Sequence, residues 1–340
     1  MPEFRKDPIT RRWVIFSTER SKRPSDFGKV TVIKEETNCP FCEGNEAMTP
    51  AEIFAIRNGT EPDGPGWKVR LIPDKFSIFE KNEELTKKAH GIYDKMSATG
   101  VHELIIETPN HMGSIHNLSY EEIETFLKVT KMRFNDLKND YRIQYILFVK
   151  NYGSEAGAKF SHSHSHSHIL GLPVIPKRVK EEIDGAKDFY DFRERCIFCD
   201  IIFEELSDDI RVIMNNEEFV ALSAYAGRFP YETHIYPKKH IASFENTPDY
   251  MMKELSVILK DTIKSLYDTL GNPAYNVVLH TSPVNQVMPV LYHWHIEIMP
   301  RINKVAGFEW GSGFYINSVL PEDAAEAMKE QLKKNTGEIL

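Results

Sequence analysis

Two short patterns occur twice in this chain, in the same order and at matching spacing. Each opens with a CxxC pair, Cys39-Pro40-Phe41-Cys42 and Cys196-Ile197-Phe198-Cys199, and the two pairs hold all four cysteines. Each runs through strand-like sequence to a proline and a histidine, Pro109-Asn110-His111 and Pro237-Lys238-Lys239-His240. Each then passes through a helical stretch to a strand containing His-x-His. His111 to His164 and His240 to His293 are both 53 residues (164 − 111 and 293 − 240). An internal duplication is the simplest origin of such a repeat. It requires each half to fold so that a CxxC pair meets two histidines far along the chain.

Cysteines confined to CxxC pairs, with histidines at fixed distances, suit a metal rather than a disulfide in a reducing compartment. A thiol redox site needs a thioredoxin-like βαβ setting, and neither pair has one. Two four-ligand sets follow: Cys39, Cys42, His111 and His164; Cys196, Cys199, His240 and His293. Each is Cys₂His₂ with no open position, the pattern of a structural zinc site. The rest of the composition is that of an ordinary globular chain, with 41% hydrophobic and 27% charged residues among 340. No apolar run approaches the ~20 residues that span a bilayer, and the start lacks a signal-peptide core, so a cytoplasmic protein is expected. The net charge of −8 argues against broad nucleic-acid or anionic-membrane binding. An anionic substrate must then be held by a few local cations.

Within the first half, Ser161 to His168 alternates serine and histidine. In an extended strand this puts four imidazoles on one face and four hydroxyls on the other. On its own the tract also suits adventitious metal binding or a solvated edge strand. If His164 takes the metal, His166 is the next group on that face, roughly 6–7 Å along, and is left for chemistry. His168 lies one step further, and His162 reads as an exposed spare. Strands are expected at 13–16, 67–73, 101–107, 145–149, 219–225, 232–236, 275–280 and 292–298. A helix is expected from Ser119, with Glu122 completing a capping box, and another from near Pro248 to Gly271. The basic loop Ser17 to Pro24 reads as a phosphate grip or as an exposed charged turn.

These motifs in combination resemble the galactose-1-phosphate uridylyltransferases. The resemblance runs through Asp7 to Phe16 with Arg20 and Arg23-Pro24, the first CxxC, Trp67 to Phe76, Glu107 to His111, and Asn151 to His168. It continues in His293-Trp294-His295 and Ala306 to Asn317, and so covers nearly the whole chain. The serine-rich tract is also similar to that of the plant ADP-glucose phosphorylases. The resemblance implies an α+β, histidine-triad (HIT-like) fold of two duplicated halves, each with an antiparallel sheet and long helices, here 1–180 and 181–340. It implies nucleotidyl transfer through a covalent histidine–nucleotide intermediate, with UDP-glucose and galactose 1-phosphate as the leading pair of substrates. An ADP-sugar or dinucleoside polyphosphate phosphorylase is the alternative. From another class, a non-catalytic zinc adaptor or a metal-storage protein would share the cysteines and histidines.

By the same resemblance His166 is the nucleophile and His168 stands in the third position of the motif, where the family usually has Gln. Counting forward from Gly157-Ala158 would instead favour His164 as nucleophile, while the 53-residue match and Ile169 to Pro173 favour His166. Arg20 and Arg23 are implied phosphate ligands, and Asp74 and Phe76 contacts for ribose and base. Asn151 and Ser161 are implied phosphoryl donors, with Glu309, Phe314, Tyr315 and Asn317 facing the sugar phosphate. A neutral imidazole with one nitrogen held by a backbone carbonyl presents the other to phosphorus, which is why a histidine suits this step. Two zinc ions, a nucleotide sugar, a sugar phosphate and a homodimer complete the expectations.

Overall fold

The computed structural model describes residues 1–19, 38–81, 83–158, 164–284, 286, 288 and 290–337. Its strands are β1 (Glu3–Lys6), β2 (Trp13–Phe16), β3 (Phe54–Arg57), β4 (Trp67–Pro73), β5 (Lys87–His90), β6 (Tyr93–Met96), β7 (Val101–Ile106), β8 (Tyr145–Tyr152) and β9 (His166–Leu172). Then come β10 (Val212–Asn215), β11 (Phe219–Ser223), β12 (Thr233–Pro237), β13 (Tyr275–His280), β14 (His295–Pro300) and β15 (Tyr315–Asn317). Ten of these form one sheet in the order β10-β11-β12-β14-β13-β8-β9-β7-β4-β3. Read outward from the centre, β8-β9-β7-β4-β3 is matched by β13-β14-β12-β11-β10, strand for strand. The seam is the antiparallel pair β8–β13, where Asn151 stands opposite Asn276 and Val149 opposite Val278. The architecture is α+β, as expected, and the two halves' sheets are continuous.

Three helices cover one face. The first, α1 (Tyr120–Leu137), starts with the capping box read from sequence: the Ser119 hydroxyl accepts from the Glu122 backbone, and the Glu122 carboxylate accepts from Ser119 N–H. Helix α2 spans Lys177–Arg193, α3 Ile197–Asp208, α4 Met251–Leu270, α5 Gly307–Ser312 and α6 Pro321–Thr336. Helices α1 and α4 pack on each other and bury Ile123, Phe126, Leu127, Leu255, Ile258, Ile263 and Leu266 in the main core. Their apolar residues recur at helical spacing, so each has one stripe to hide and the sheet hides it. Gly271 ends α4 in the left-handed region at φ 67°, where glycine carries no Cβ penalty.

The opposite face carries the CxxC segments, α2 and α3. Here the structure departs from the sequence expectations. The second CxxC leads into a helix, with Cys196 at its N-terminus, and α2, α3 and α6 lie in segments assigned no element. Helix α4 begins at Met251, after a Pro248 turn, and β14 begins at His295, so His293 and Trp294 precede the ladder. Strands β1, β2 and β15 form a separate small sheet, and β5–β6 an exposed hairpin. No helix among the described residues is long and apolar enough to cross a membrane.

Candidate active site and metal centres

The first sulfur–nitrogen cluster closes as the spacing requires. The ligand atoms of Cys39, Cys42, His111 and His164 all lie within 4.8 Å of one another. Cys42 Sγ is 3.3 Å from His111 Nδ1 and 3.5 Å from His164 Nδ1, and Cys39 Sγ is 3.8 Å from His164 Nδ1. Ligands at about 2.0–2.3 Å from a tetrahedral centre are separated by roughly 3.5 Å, so these distances fit one four-coordinate ion. His164 Nε2 donates to the Thr108 carbonyl at 2.6 Å, which leaves Nδ1 bare and aimed at the sulfurs. Burial lowers the His164 pKa to about 4, so the ring is neutral, as a ligand must be.

The second cluster repeats the design. Cys199 Sγ is 3.3 Å from His240 Nδ1 and 3.7 Å from His293 Nδ1, and the four ligand atoms of Cys196, Cys199, His240 and His293 again lie within 4.8 Å. His293 Nε2 donates to the Pro237 carbonyl at 2.8 Å, matching His164 and Thr108.

At the start of β9, His166 is half-buried with Phe41 of the CxxC loop 5.2 Å away, centroid to centroid. Its Nδ1 donates to the His164 carbonyl at 2.7 Å, so the bare nitrogen is Nε2. Desolvation lowers its pKa to about 3, keeping the ring neutral at physiological pH. An imidazole held this way is a nucleophile of fixed direction. The serines of the alternation have their own task on the opposite face. Ser165 Oγ donates to Glu107 at 2.5 Å, and Ser167 Oγ donates to the other oxygen of the same carboxylate. Lys150 Nζ completes this group, 2.7 Å from Glu107 and 2.8 Å from Ser165 Oγ, with the pair at most 2% exposed. Burial alone would raise the Glu107 pKa; the Lys150 charge and the donated hydrogen bonds outweigh it and hold the carboxyl below its usual range. The strand that carries the imidazoles is thus pinned from behind by a buried ion pair.

His168 lies on the ridge beside His166, ring centroids 5.4 Å apart. Its Nδ1 is 3.0 Å from His102 Nε2 on β7, and that same nitrogen is 3.2 Å from Asp74 Oδ2. The other Asp74 oxygen accepts from the Phe76 backbone at 2.7 Å. Burial lowers the His102 pKa, against the pull of Asp74 and Glu103.

Where the first half has this open ridge, the second half is closed. His295 occupies the place of His166, its Nδ1 bonded to the His293 carbonyl at 3.1 Å, and it is only 2% exposed. Helix α2 lays Glu182 over it: Glu182 accepts from His280 at 3.0 Å and from the Tyr292 hydroxyl at 2.6 Å, and Glu297 sits 3.4 Å from the other nitrogen of His280. Burial would lower His280, but its two carboxylate neighbours raise it to about 10, so it is a buried cation between two anions. Arg228 adds a second, bonded to Glu232 and Glu297, each at 2.6 Å. This group of Glu182, His280, His295 and Glu297 also brings four ligand-type atoms together.

The chain is similar to named proteins over nearly its whole length. An ADP-glucose phosphorylase of Arabidopsis thaliana is 36% identical over 337 residues, covering 97% of this chain and 93% of that protein. A galactose-1-phosphate uridylyltransferase of Thermotoga maritima is 28% identical, covering 97% and 98%. The crystal structure of an Arabidopsis thaliana ADP-glucose phosphorylase with bound ADP-glucose superposes with a TM-score of 0.83 at 33% identity, covering 97% of this chain and 99% of that one. A uridylyltransferase structure superposes at 0.76 and 27%, covering 98% and 99%. A family model described as a domain of unknown function (DUF4921) matches residues 80–339. The chain belongs to the galactose-1-phosphate uridylyltransferase family. It is a nucleotidyltransferase with the HIT-like fold of that family.

The remaining residues singled out from the family's motifs are scattered. Arg20, Arg23, Ser161 and His162 lie outside the described residues. Phe76 is 71% exposed in the turn after β4, and Asp74 turns its carboxylate towards His102. Asn151 shares the imidazole face, two residues beyond Val149, which stands opposite His168, and its amide oxygen accepts from Asn276 at 2.7 Å. The last four residues stand on or beside the small sheet. Glu309 caps α5 by accepting from Ala306 N–H at 2.9 Å, Phe314 packs edge-on against Phe4, and Tyr315 against Phe229. Asn317 is 3% exposed and donates to the Gly227 carbonyl at 2.9 Å, a structural tie within the second half. Sequence reasoning missed His102, Lys150, Glu182 and His280. The signal for His102 and Glu103 was faint: two polar residues within the otherwise apolar Val101 to Ile106.

Proposed function

We propose that the protein moves a nucleoside monophosphate from a nucleotide sugar to a hexose 1-phosphate through a covalent intermediate on His166 Nε2. What carries this reading is His166 itself: neutral, tied through Nδ1 to the His164 carbonyl, and flanked on one face by His168. Attack of Nε2 on the α-phosphorus forms an N–P bond and breaks the P–O bond to the departing sugar 1-phosphate. The acceptor's phosphate oxygen then attacks the same phosphorus and breaks the N–P bond, returning neutral His166. Donors on the ridge, His168 and Asn151 among them, meet the charge on the phosphoryl oxygens. Arg20, Arg23 and Phe76 are proposed contacts for phosphates and base.

Each Cys₂His₂ cluster holds one zinc. A soft donor pair with two imidazoles and no carboxylate suits zinc over magnesium or calcium. Bound there, the ion supplies folding energy and fixes His164, whose carbonyl orients the nucleophile. The chain works as a cytoplasmic enzyme in two HIT-like units, 1–180 and 181–340. It acts as a homodimer, a reading supported by the family resemblance alone. Light scattering giving a monomer mass at working concentration would remove that last statement.

The donor is UDP-glucose in the first reading, with galactose 1-phosphate as acceptor. The higher identity to the Arabidopsis protein favours a second: ADP-glucose, with inorganic phosphate as acceptor. Incubation with UDP-glucose and with ADP-glucose, each labelled at the α-phosphate, separates the two, because one alone should label the protein. The label should map to His166 and vanish in His166→Gly with zinc content unchanged. Label on His164 would shift the register by two residues, and no label from either donor would overturn the transferase mechanism.

A further inference from the structure

The contacts within the trio Asp74, His102 and His168 bear on where its protons sit. His102 Nε2 faces both Asp74 Oδ2 at 3.2 Å and His168 Nδ1 at 3.0 Å. Asp74 can only accept. If His102 Nε2 were bare, it would face the carboxylate with lone pair against lone pair. It therefore carries the proton and donates to His168 Nδ1, with the carboxylate beside it as its charge partner and 4.0 Å from His168 Nδ1, which makes His168 Nδ1 the acceptor. The opposite nitrogen, His102 Nδ1, is buried without a partner, and this is tolerable for a bare lone pair and costly for an N–H. Both ends of His102 thus give the same tautomer.

We propose that His102 and Asp74 are positioning residues that hold the proton of His168 on Nε2, making that imidazole a directed donor to the phosphoryl group carried by His166. The inference rests on the transfer mechanism proposed above and adds the device that fits histidine to a place where the family usually has glutamine. An amide always offers N–H; an imidazole offers it at the outer nitrogen only when the inner one accepts. Strand register supplies the geometry. His168 stands opposite Leu104 on β7, so His102, two residues away, shares its face, and Asp74 follows directly on β4. A divalent ion at the same three atoms is the competing use, since they lie within 4.8 Å of one another. It would require the proton on His102 Nδ1, the buried position that has no acceptor; metal-bound histidines almost always place that N–H on a partner.

The test is a double-substitution cycle read on the rate of labelled adduct formation from UDP-glucose and from ADP-glucose. His102→Ala should slow the adduct by about 10–100-fold, the usual cost of losing a partner that orients an imidazole. In the His168→Gln background the same substitution should slow it no more than about twofold, because the amide needs no tautomer partner. A merely structural His102 would give the same loss in both backgrounds, and that result overturns the proposal. Asp74→Asn should be worse than Asp74→Ala. Phe76 N–H fixes the amide oxygen, so the NH₂ faces His102 Nε2, forces it to accept, and moves the His168 proton to Nδ1. Histidine ¹⁵N NMR of the unliganded protein reads the tautomer directly: a proton on His168 Nε2 supports the proposal and one on Nδ1 refutes it. If neither donor gives an adduct, the transfer mechanism fails while this measurement still decides the tautomer. A third metal equivalent lost on His102→Ala would assign the trio to a cation instead.

Discussion

Replacing Lys150 by Met would leave the Glu107 carboxylate without a cation at a position with no exposed surface. The ammonium stands 2.7 Å from Oε2, and both side chains are at most 2% exposed. At an effective dielectric constant near 20, two unit charges this close interact by about 4–6 kcal/mol. Losing one member of a buried pair costs about 3–5 kcal/mol. The Ser165 and Ser167 hydroxyls still donate to Glu107 in the variant, which favours the lower end, about 3 kcal/mol. Urea unfolding followed by fluorescence of the buried Trp67 and Trp294 is the assay. With a slope of about 3 kcal/mol/M the midpoint falls by roughly 1 M. Adding Glu107→Gln should restore most of the loss, because the serines can bond an amide and no lone charge remains.

The loss should also depend on pH. In the native protein the Glu107 carboxyl is held below its unfolded value, so its contribution is present above the unfolded pKa and fades as pH falls through the lower folded one. Without the ammonium, burial raises the folded value above the unfolded one. The folded variant then binds the extra proton, and its deficit grows as pH rises from 5 to 8. A cost under 1 kcal/mol, a deficit that does not change with pH, or a double variant no better than the single would refute the account of β9 as a strand pinned by this pair.

Three further outcomes follow. Dialysed protein should contain two zinc equivalents; Cys39→Ser and Cys196→Ser should each lose one and melt at lower temperature, as read by elemental analysis and calorimetry. Gly185→Ala should destabilise, although alanine normally gains about 1 kcal/mol over glycine inside a helix. A Cβ there would sit 1.9 Å from the Ile9 carbonyl oxygen, prising the N-terminal turn from α2; a rise in melting temperature would count against that packing. His295→Ala should leave adduct formation at His166 intact, since His295 is buried under Glu182 and lies three strands away, on the order of 14 Å; loss of labelling with zinc retained would require a role for the second half in chemistry.

The duplicated spacing decided a good deal before any coordinates. A CxxC pair and two histidines recurring at 53 residues can meet only if both halves fold alike, and the two clusters close with matching backbone acceptors, Thr108 and Pro237. Alternation decided the ridge, because a strand's period of two leaves no other arrangement of His166 and His168. What alternation could not say was what the hydroxyls do. Glu107 and Lys150 come from β7's end and β8, and only pairing across the sheet brings them behind Ser165 and Ser167. The same holds for His102 and Asp74, which lie far from His168 in sequence and reach it through register. Nor could the repeat say which half stays open. The two corresponding positions, His166 and His295, are equivalent in the repeat, and the covering of one by α2 is a tertiary event. It depends on a helix with no distinguishing motif, which sets Glu182 against His280 and packs Gly185 beneath Ile9. Local periodicity reports what a segment buries; it carries no information about which distant side chain meets it there.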